Sequence, residues 1–334
     1  MARLGIIGTT AWGQTLGLVL ARQGHSVSIL TRTLKEADTL AGERRSHRLP
    51  EGCEFPTSVQ VSSDVMQALS GADVVIVAVP SVTMRANMRL VKAALPKHAL
   101  VVSATKGIEV DTGKRMSQII AEETGHGVAL TGALSGPNLA PEIAAGKIAS
   151  ATVAFPGDDE ASAAQAVLNS EVFRIYRSGD LAGVELGGAL KNIVAIGAGV
   201  IDGFSLGDNA KAAYVTRGLH EITRLGVAMG AKAETFAGLS GMGDLMATCY
   251  SGLSRNRRVG QELGRGRKLD DILRDLHQVA EGVPATQAAS RLAAQLGVDV
   301  PVTEMTRRVL FDGLPPAKAV EALMRRAPQP EVRS

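Results

Sequence analysis

Aromatic residues make up only 3% of this 334-residue chain, and Trp12 is its one tryptophan. So few rings cannot furnish the stacking platforms that hold single-stranded nucleic acid. An excess of one charge is also missing: 36 Lys and Arg against 33 Asp and Glu leave a net +3. The cations are scattered rather than drawn into a stripe, which argues against a nucleic-acid surface. Cysteine occurs twice, at Cys53 and Cys249, without metal-ligand spacing. No metal is therefore expected, and two reduced thiols in a cytoplasmic protein are. The start, Met1 to Gly8, has no long apolar segment ahead of a cleavage site, so no secretory leader is expected. The apolar run around Lys191 is broken by Lys191 and Asn192 and soon meets Asp202. It reads as a core helix, not a membrane span. No repeat is evident with a period of about 20 to 50 residues, which disfavours a solenoid.

What is present is ample apolar material, 45% of residues, in a chain long enough for two domains. The first half alternates short β-rich runs with helical patterns, the mark of an α/β fold with a parallel sheet covered on both faces. Strands are expected at 4–7, 27–30, 59–61, 74–79, 100–103, 128–131, 151–155 and 173–176. Helices are expected at 13–22, 63–70, 82–94 and 113–123. The continuous run Val74 to Val79 suits a central strand buried on both faces. From about Gly179 the β-rich runs cease and helical spacing takes over. The expected organisation is a Rossmann-like, mostly parallel domain over 1–178, an all-helical domain over 179–326 and a loose tail over 327–334.

Directly after the first strand comes Gly8-Thr9-Thr10-Ala11-Trp12-Gly13. A glycine turn between strand and helix brings phosphate to backbone amides at the positive end of the helix. The first and third glycines of GxGxxG are present, while Thr10 replaces the second. Trp12, at the helix opening, either covers a bound cofactor or packs helix on sheet. An acid after the second strand would meet the ribose of NAD. The chain has Thr31-Arg32-Thr33 instead, and the Arg32 guanidinium suits a 2′-phosphate. NADP is thus expected to serve at least as well as NAD.

Lys191 sits in a Gly- and Ala-rich apolar run, Gly187 to Gly199. An ammonium is costly to bury unless something pairs with it, and burial lowers its proton affinity toward neutral pH. Snorkelling to solvent is the plain alternative. Three loops add polar groups: Ala104-Thr105-Lys106-Gly107, Ser135-Gly136-Pro137-Asn138, and Ser240-Gly241-Met242-Gly243-Asp244 with the later Ser254-Arg255-Asn256-Arg257-Arg258. The arginine run suits a solvated helix face, a nucleic-acid patch or, after serines and glycines, a phosphate monoester at a helix start.

Together these segments resemble the bacterial-type NAD(P)-dependent glycerol-3-phosphate dehydrogenases over nearly the whole length. The likeness rests on IIGTTAWGQTL, SATKGIE, LSGPNLAPEIAAG, GVELGGALKNIVAIGAGVIDG, LSGMGDLMATCYSGLSRNRRVG and VAEGVPAT, in that order. It implies reversible hydride transfer between NADP(H) or NAD(H) and dihydroxyacetone phosphate, supplying glycerol 3-phosphate for phospholipid synthesis. By the same likeness Lys191 is the proton donor, Asp244 orients it, and Lys106 borders nicotinamide and substrate. Gly136, Asn138, Thr248, Ser254, Arg255 and Asn256 then contact the substrate. Gly8, Thr10, Ala11, Trp12, Gly13, Arg32, Lys106, Ala140, Arg255, Val279 and Glu281 contact the cofactor. The chain departs from the family pattern at Thr10, usually glycine, at Asn138, usually a small hydroxyl residue, and at Pro141, often lysine. A homodimer is expected because helical second domains often pair.

Two other classes compete on the residues alone. A two-domain dehydrogenase of β-hydroxy acids also places a lysine early in a helix. A non-catalytic NADP(H) sensor would need the nucleotide site but not Lys106, Lys191 and Asp244 in one cleft.

Overall fold

The computed structural model describes residues 1–276, 278–327 and 330–331. Eight strands form one sheet: β1 (Arg3–Ile7), β2 (Ser26–Leu30), β3 (Val59–Ser62), β4 (Val74–Val77), β5 (Leu100–Ser103), β6 (Thr131–Ser135), β7 (Ala149–Ala154) and β8 (Phe173–Ser178). Their order is β3-β2-β1-β4-β5-β6-β7-β8. All neighbours run parallel except β6 and β7. The first six follow the doubly wound order, which reverses between β1 and β4 and opens a crevice at the carboxyl edge there.

Alternation along the strands builds two cores. Ile6 and Ile76 face one apolar cluster with Leu16 and Val19 of the helix Ala11–Arg22. Ile7, Val75 and Val77 face the other, with Met84, Met88 and Ile119. A strand buried on both faces reads as an unbroken apolar run, as Val74 to Val77 does.

Some expected boundaries move. The run 74–79 leaves the sheet after Val77, so Ala78 and Val79 begin the crevice loop. The sixth strand lies at Thr131–Ser135 rather than 128–131, while Val128–Leu130 form a short 3-10 turn. Val128 is exposed. The strand itself reads Thr-Gly-Ala-Leu-Ser, and a Cβ on Gly132 would lie 2.4 Å from Ala154 O and 2.5 Å from Phe155 Cε2. Close packing there excludes the β-branched residues by which strands are recognised. The helix expected over 82–94 is a 3-10 turn, Ser81–Thr83, leading into Met84–Val91. The helix expected over 113–123 runs Met116–Thr124.

After β8 the described residues contain helices only. Asp180 caps the helix Leu181–Gly203 by accepting from Gly183 N at 2.9 Å, and also accepts from Lys232 N at 2.9 Å. That helix is long and apolar enough to cross a membrane, but 94% of its apolar window is buried inside the protein. The helix Arg255–Gly264 lies against it almost backbone to backbone. A Cβ on Gly260 would stand 1.7 Å from Ile196 O, and one on Gly199 2.0 Å from Arg257 O. Glycines at these crossings set where residues 255 and 256 sit relative to Lys191.

The strand-bearing and helical halves meet through buried polar contacts. Glu185 accepts from Ser117 N at 2.8 Å and pairs with Arg115. Of the expected tail, residues 328, 329 and 332–334 lie outside the described residues, and Glu331 O accepts from Arg217 at 3.2 Å.

Candidate functional site

The carboxyl ends of β1, β4, β5 and β6 open on one edge of the sheet, each followed by a polar or glycine-rich loop. After β1, Gly8 takes φ 109°, and a Cβ there would lie 2.7 Å from Ala78 O. Thr10 resolves its own departure from the glycine pattern. As N-cap of Ala11–Arg22 its hydroxyl accepts from Gly13 N at 3.1 Å and donates to Ala78 O at 2.8 Å. The turn is thus closed by a side chain and tied to the loop after β4. No acid occupies the first turn of this helix, so its positive end is open to an anion. These features fit a dinucleotide. Trp12 packs edge-to-face on Phe173 with ring centroids 6.2 Å apart, and its buried indole N–H has no partner among the described residues. Ala140 O accepts from Thr15 of the same helix at 3.3 Å, which brings residue 140 beside the nucleotide turn.

Arg32 is exposed at the end of β2. The expectation of no acid at this end needs correcting. Glu36, in the first turn of the helix Leu34–Glu43, folds back so that Oε1 accepts from Thr9 Oγ1 at 2.6 Å and Oε2 from Arg32 N at 3.3 Å. A sequence signal existed: Thr33 and Glu36 have capping-box spacing, and Thr33 Oγ1 does accept from Glu36 N at 3.2 Å.

Lys106 follows β5, and Lys191 lies midway along Leu181–Gly203. Lys191 does not snorkel; it is 5% exposed, and Asp244 is 2% exposed. Lys191 Nζ donates to Asp244 Oδ1 at 2.9 Å and to the Thr248 hydroxyl. Lys106 Nζ donates to Asp244 Oδ2 at 2.7 Å and to Gly136 O at 2.9 Å. A π-helical turn, Leu239–Gly243, delivers Asp244 to this point, and Thr248 lies one turn further along Asp244–Tyr250. Burial drives the Lys191 ammonium down to about 8; Asp244 opposes that shift and Lys106 adds to it. Cys249, on the same helix, is no competing nucleophile, because burial pushes its thiol up to about 12.

The segment Ser254–Asn256 divides its tasks. Ser254 caps Arg255–Gly264 by accepting from Arg257 N at 3.2 Å. Asn256 is tied on both sides: Nδ2 donates to Asn192 Oδ1 at 2.8 Å, and Oδ1 accepts from Gly282 N at 2.9 Å. Arg255 is exposed and donates to Val279 O at 2.7 Å. Glu281 accepts from Ser81 N at 2.9 Å and from the Ser81 hydroxyl, which ties the loop after β4 to the helical half. Burial raises the Glu281 carboxyl above the usual carboxylate range, against the pull of Ser81 and Arg255.

Asn138 Nδ2 donates to Ser150 O at 3.1 Å, while its Oδ1 is buried without a partner among the described residues. Ser135 Oγ and Ser240 Oγ are in the same state. A Cβ on Gly188 would meet Ser135 Oγ at 2.3 Å and the Lys106 stem at 3.4 Å, which places Ser135 beside the lysines. Asn192 and Ser81 were not singled out as site residues by sequence. Asn192 stood next to Lys191 in ALKN, whereas nothing local marks Ser81. Among the described residues no group of three or more His, Cys, Asp or Glu is placed to hold a metal ion.

Comparison with known proteins identifies the family. Residues 3–161 match the family model described as NAD-dependent glycerol-3-phosphate dehydrogenase N-terminus, and residues 180–321 match its C-terminus. A protein of Dehalococcoides mccartyi named glycerol-3-phosphate dehydrogenase [NAD(P)+] is 48% identical over 97% of this chain and 91% of its own length. One of the same name from Geobacillus kaustophilus is 43% identical over 99% and 97%. The crystal structure of glycerol-3-phosphate dehydrogenase from Coxiella burnetii superposes with a TM-score of 0.92 at 33% identity, covering 97% of this chain and 99% of that one.

Proposed function

This chain belongs to the NAD-dependent glycerol-3-phosphate dehydrogenase family, and from that premise we propose that it interconverts dihydroxyacetone phosphate and sn-glycerol 3-phosphate. The observation that carries the reading is a Lys106–Asp244–Lys191 cluster, with Asp244 and Lys191 buried and Lys106 half-buried, at the sheet edge that also bears the nucleotide turn. Two ammoniums against one carboxylate leave a net positive site with little water to screen it. Such a site favours negative charge growing on an oxygen.

The turn Gly8–Gly13, with Ala11, Trp12, Arg32, Ala140, Val279 and Glu281, would hold NAD(H) or NADP(H). When bound, the nicotinamide supplies hydride to the ketone carbon or accepts it from the alcohol. Lys191 gives a proton to the carbonyl oxygen during reduction and takes it back during oxidation. Asp244 aims Lys191 through one carboxylate oxygen and Lys106 through the other. Lys106 stabilises the charge developing on the oxygen. Arg255 grips the phosphate, with Asn256, Ser254, Thr248, Gly136 and Asn138 lining the remainder, so that binding far from the reacting carbon positions it.

The division of labour we assign is 1–178 for the dinucleotide, 179–326 for substrate and catalysis, and 327–334 as a tail. A cytoplasmic homodimer feeding phospholipid synthesis completes the reading. Two buried thiols without a disulfide support the compartment, and sedimentation of the purified protein tests the dimer. The deciding experiment follows NADH and NADPH absorbance with dihydroxyacetone phosphate and with dihydroxyacetone. Turnover should require the phosphate. Equal rates with both ketones would refute the assignment.

A further inference from the structure

We propose that Glu36 selects between the two coenzymes. Its carboxylate spans the glycine turn after β1, through Thr9 Oγ1 at 2.6 Å, and the end of β2, through Arg32 N at 3.3 Å. In doubly wound sheets, the group at the end of this second strand meets the 2′ position of the adenosine ribose. An acid there accepts from a 2′-hydroxyl, and an arginine accommodates a 2′-phosphate. This chain places both, with Glu36 half-buried and Arg32 exposed.

Helix capping alone does not account for the geometry. A capping-box acid returns to the backbone N–H of its own N-cap residue, which here is Thr33. Glu36 reaches past it to Arg32 N and, across 27 residues of sequence, to Thr9. The carboxylate is thereby fixed on the side where the nucleotide turn opens. A 2′-phosphate meets like charge from Glu36 and opposite charge from Arg32, so each residue offsets the other. A 2′-hydroxyl donates to Glu36 at no electrostatic cost.

The inference rests on the dinucleotide reading above, and its test is binding rather than turnover. Adenosine 2′,5′-bisphosphate and AMP differ only in the 2′-phosphate. Their affinities for the full-length protein, its Glu36→Gln variant and its Arg32→Gln variant are measured by titration calorimetry. The glutamine amide oxygen can still accept from Arg32 N while its amide N–H donates to the Thr9 hydroxyl, so the substitution removes charge while keeping both bonds. Glu36→Gln should raise the bisphosphate-to-AMP affinity ratio about tenfold, and Arg32→Gln should lower it by a similar factor, as expected for one partly screened charge. A purely structural role for Glu36 would weaken both nucleotides together and leave the ratio fixed; that result overturns the proposal. Absence of binding by either nucleotide to the unaltered protein would instead remove the dinucleotide site on which it stands.

Discussion

Lys106 and Lys191 come from opposite halves of the chain, yet both are held by one carboxylate, Lys106 on Asp244 Oδ2 and Lys191 on Asp244 Oδ1. Held on one buried anion they form a fixed pair of cations whose orientation costs nothing further when the substrate arrives.

Lys191→Ala should reduce turnover by at least about 10²-fold, the usual contribution of a positioned acid or base. Coenzyme affinity should change little, because no described contact of Lys191 reaches the nucleotide turn. Steady-state rates combined with coenzyme titration check both halves. A variant retaining full turnover would remove Lys191 as the proton carrier.

The pH dependence should have opposite signs in the two directions. Lys191 is lowered to about 8, mainly by burial, so it is protonated below that pH and neutral above it. Ketone reduction needs the ammonium and should decline as pH rises through about 8. Alcohol oxidation needs the amine and should increase over the same interval. Profiles of kcat/KM in both directions read this, since they report the group before substrate binds. A shared optimum with no crossing would point to another group.

Arg255→Ala should raise KM for dihydroxyacetone phosphate at least about tenfold, since charge-assisted bonds to phosphate contribute more than neutral ones. Rates with unphosphorylated dihydroxyacetone should move far less. Losing the same factor on both ketones would show that Arg255 acts through its bond to Val279 O rather than on phosphate.

Two glycine substitutions should move stability in opposite directions. At Gly260 a Cβ would lie 1.7 Å from Ile196 O, with backbone on both sides. Gly260→Ala should therefore destabilise by about 1–3 kcal/mol or more, the range for overpacking. Gly42 lies within the helix Leu34–Glu43 with nothing within 4 Å of such a Cβ. Gly42→Ala should stabilise by about 0.4–1 kcal/mol through chain entropy and helix propensity. Chemical denaturation of the two variants measures the contrast.

Where the chain carried a strong local signal, it could be read directly. Val74 to Val77 is apolar throughout because that strand is covered on both faces, and Leu181–Gly203 is largely apolar because it is buried along most of its length. Strand β6 was misplaced because its packing demands small residues, which imitate a loop. Its antiparallel pairing with β7 leaves no trace in either segment. Lys191 stood out through its apolar neighbours, but the part played by Asn256 did not. Its side chain is held in place by Asn192 and Gly282, contacts made only when distant helices meet.

The amino-acid order by itself determined the alternating and then helical organisation, the glycine turn and the lone lysine in an apolar helix. Each is a matter of periodicity or local composition, and short-range sterics and burial impose those wherever the segment lies. Only the tertiary structure decided that Asp244 would serve two lysines, that Thr10 would close the turn through Ala78 O, and that Glu36 would reach the Thr9 hydroxyl. Those pairings join residues far apart in the chain. Their geometry is set by how the sheet edge and the helices pack, and no single segment encodes it.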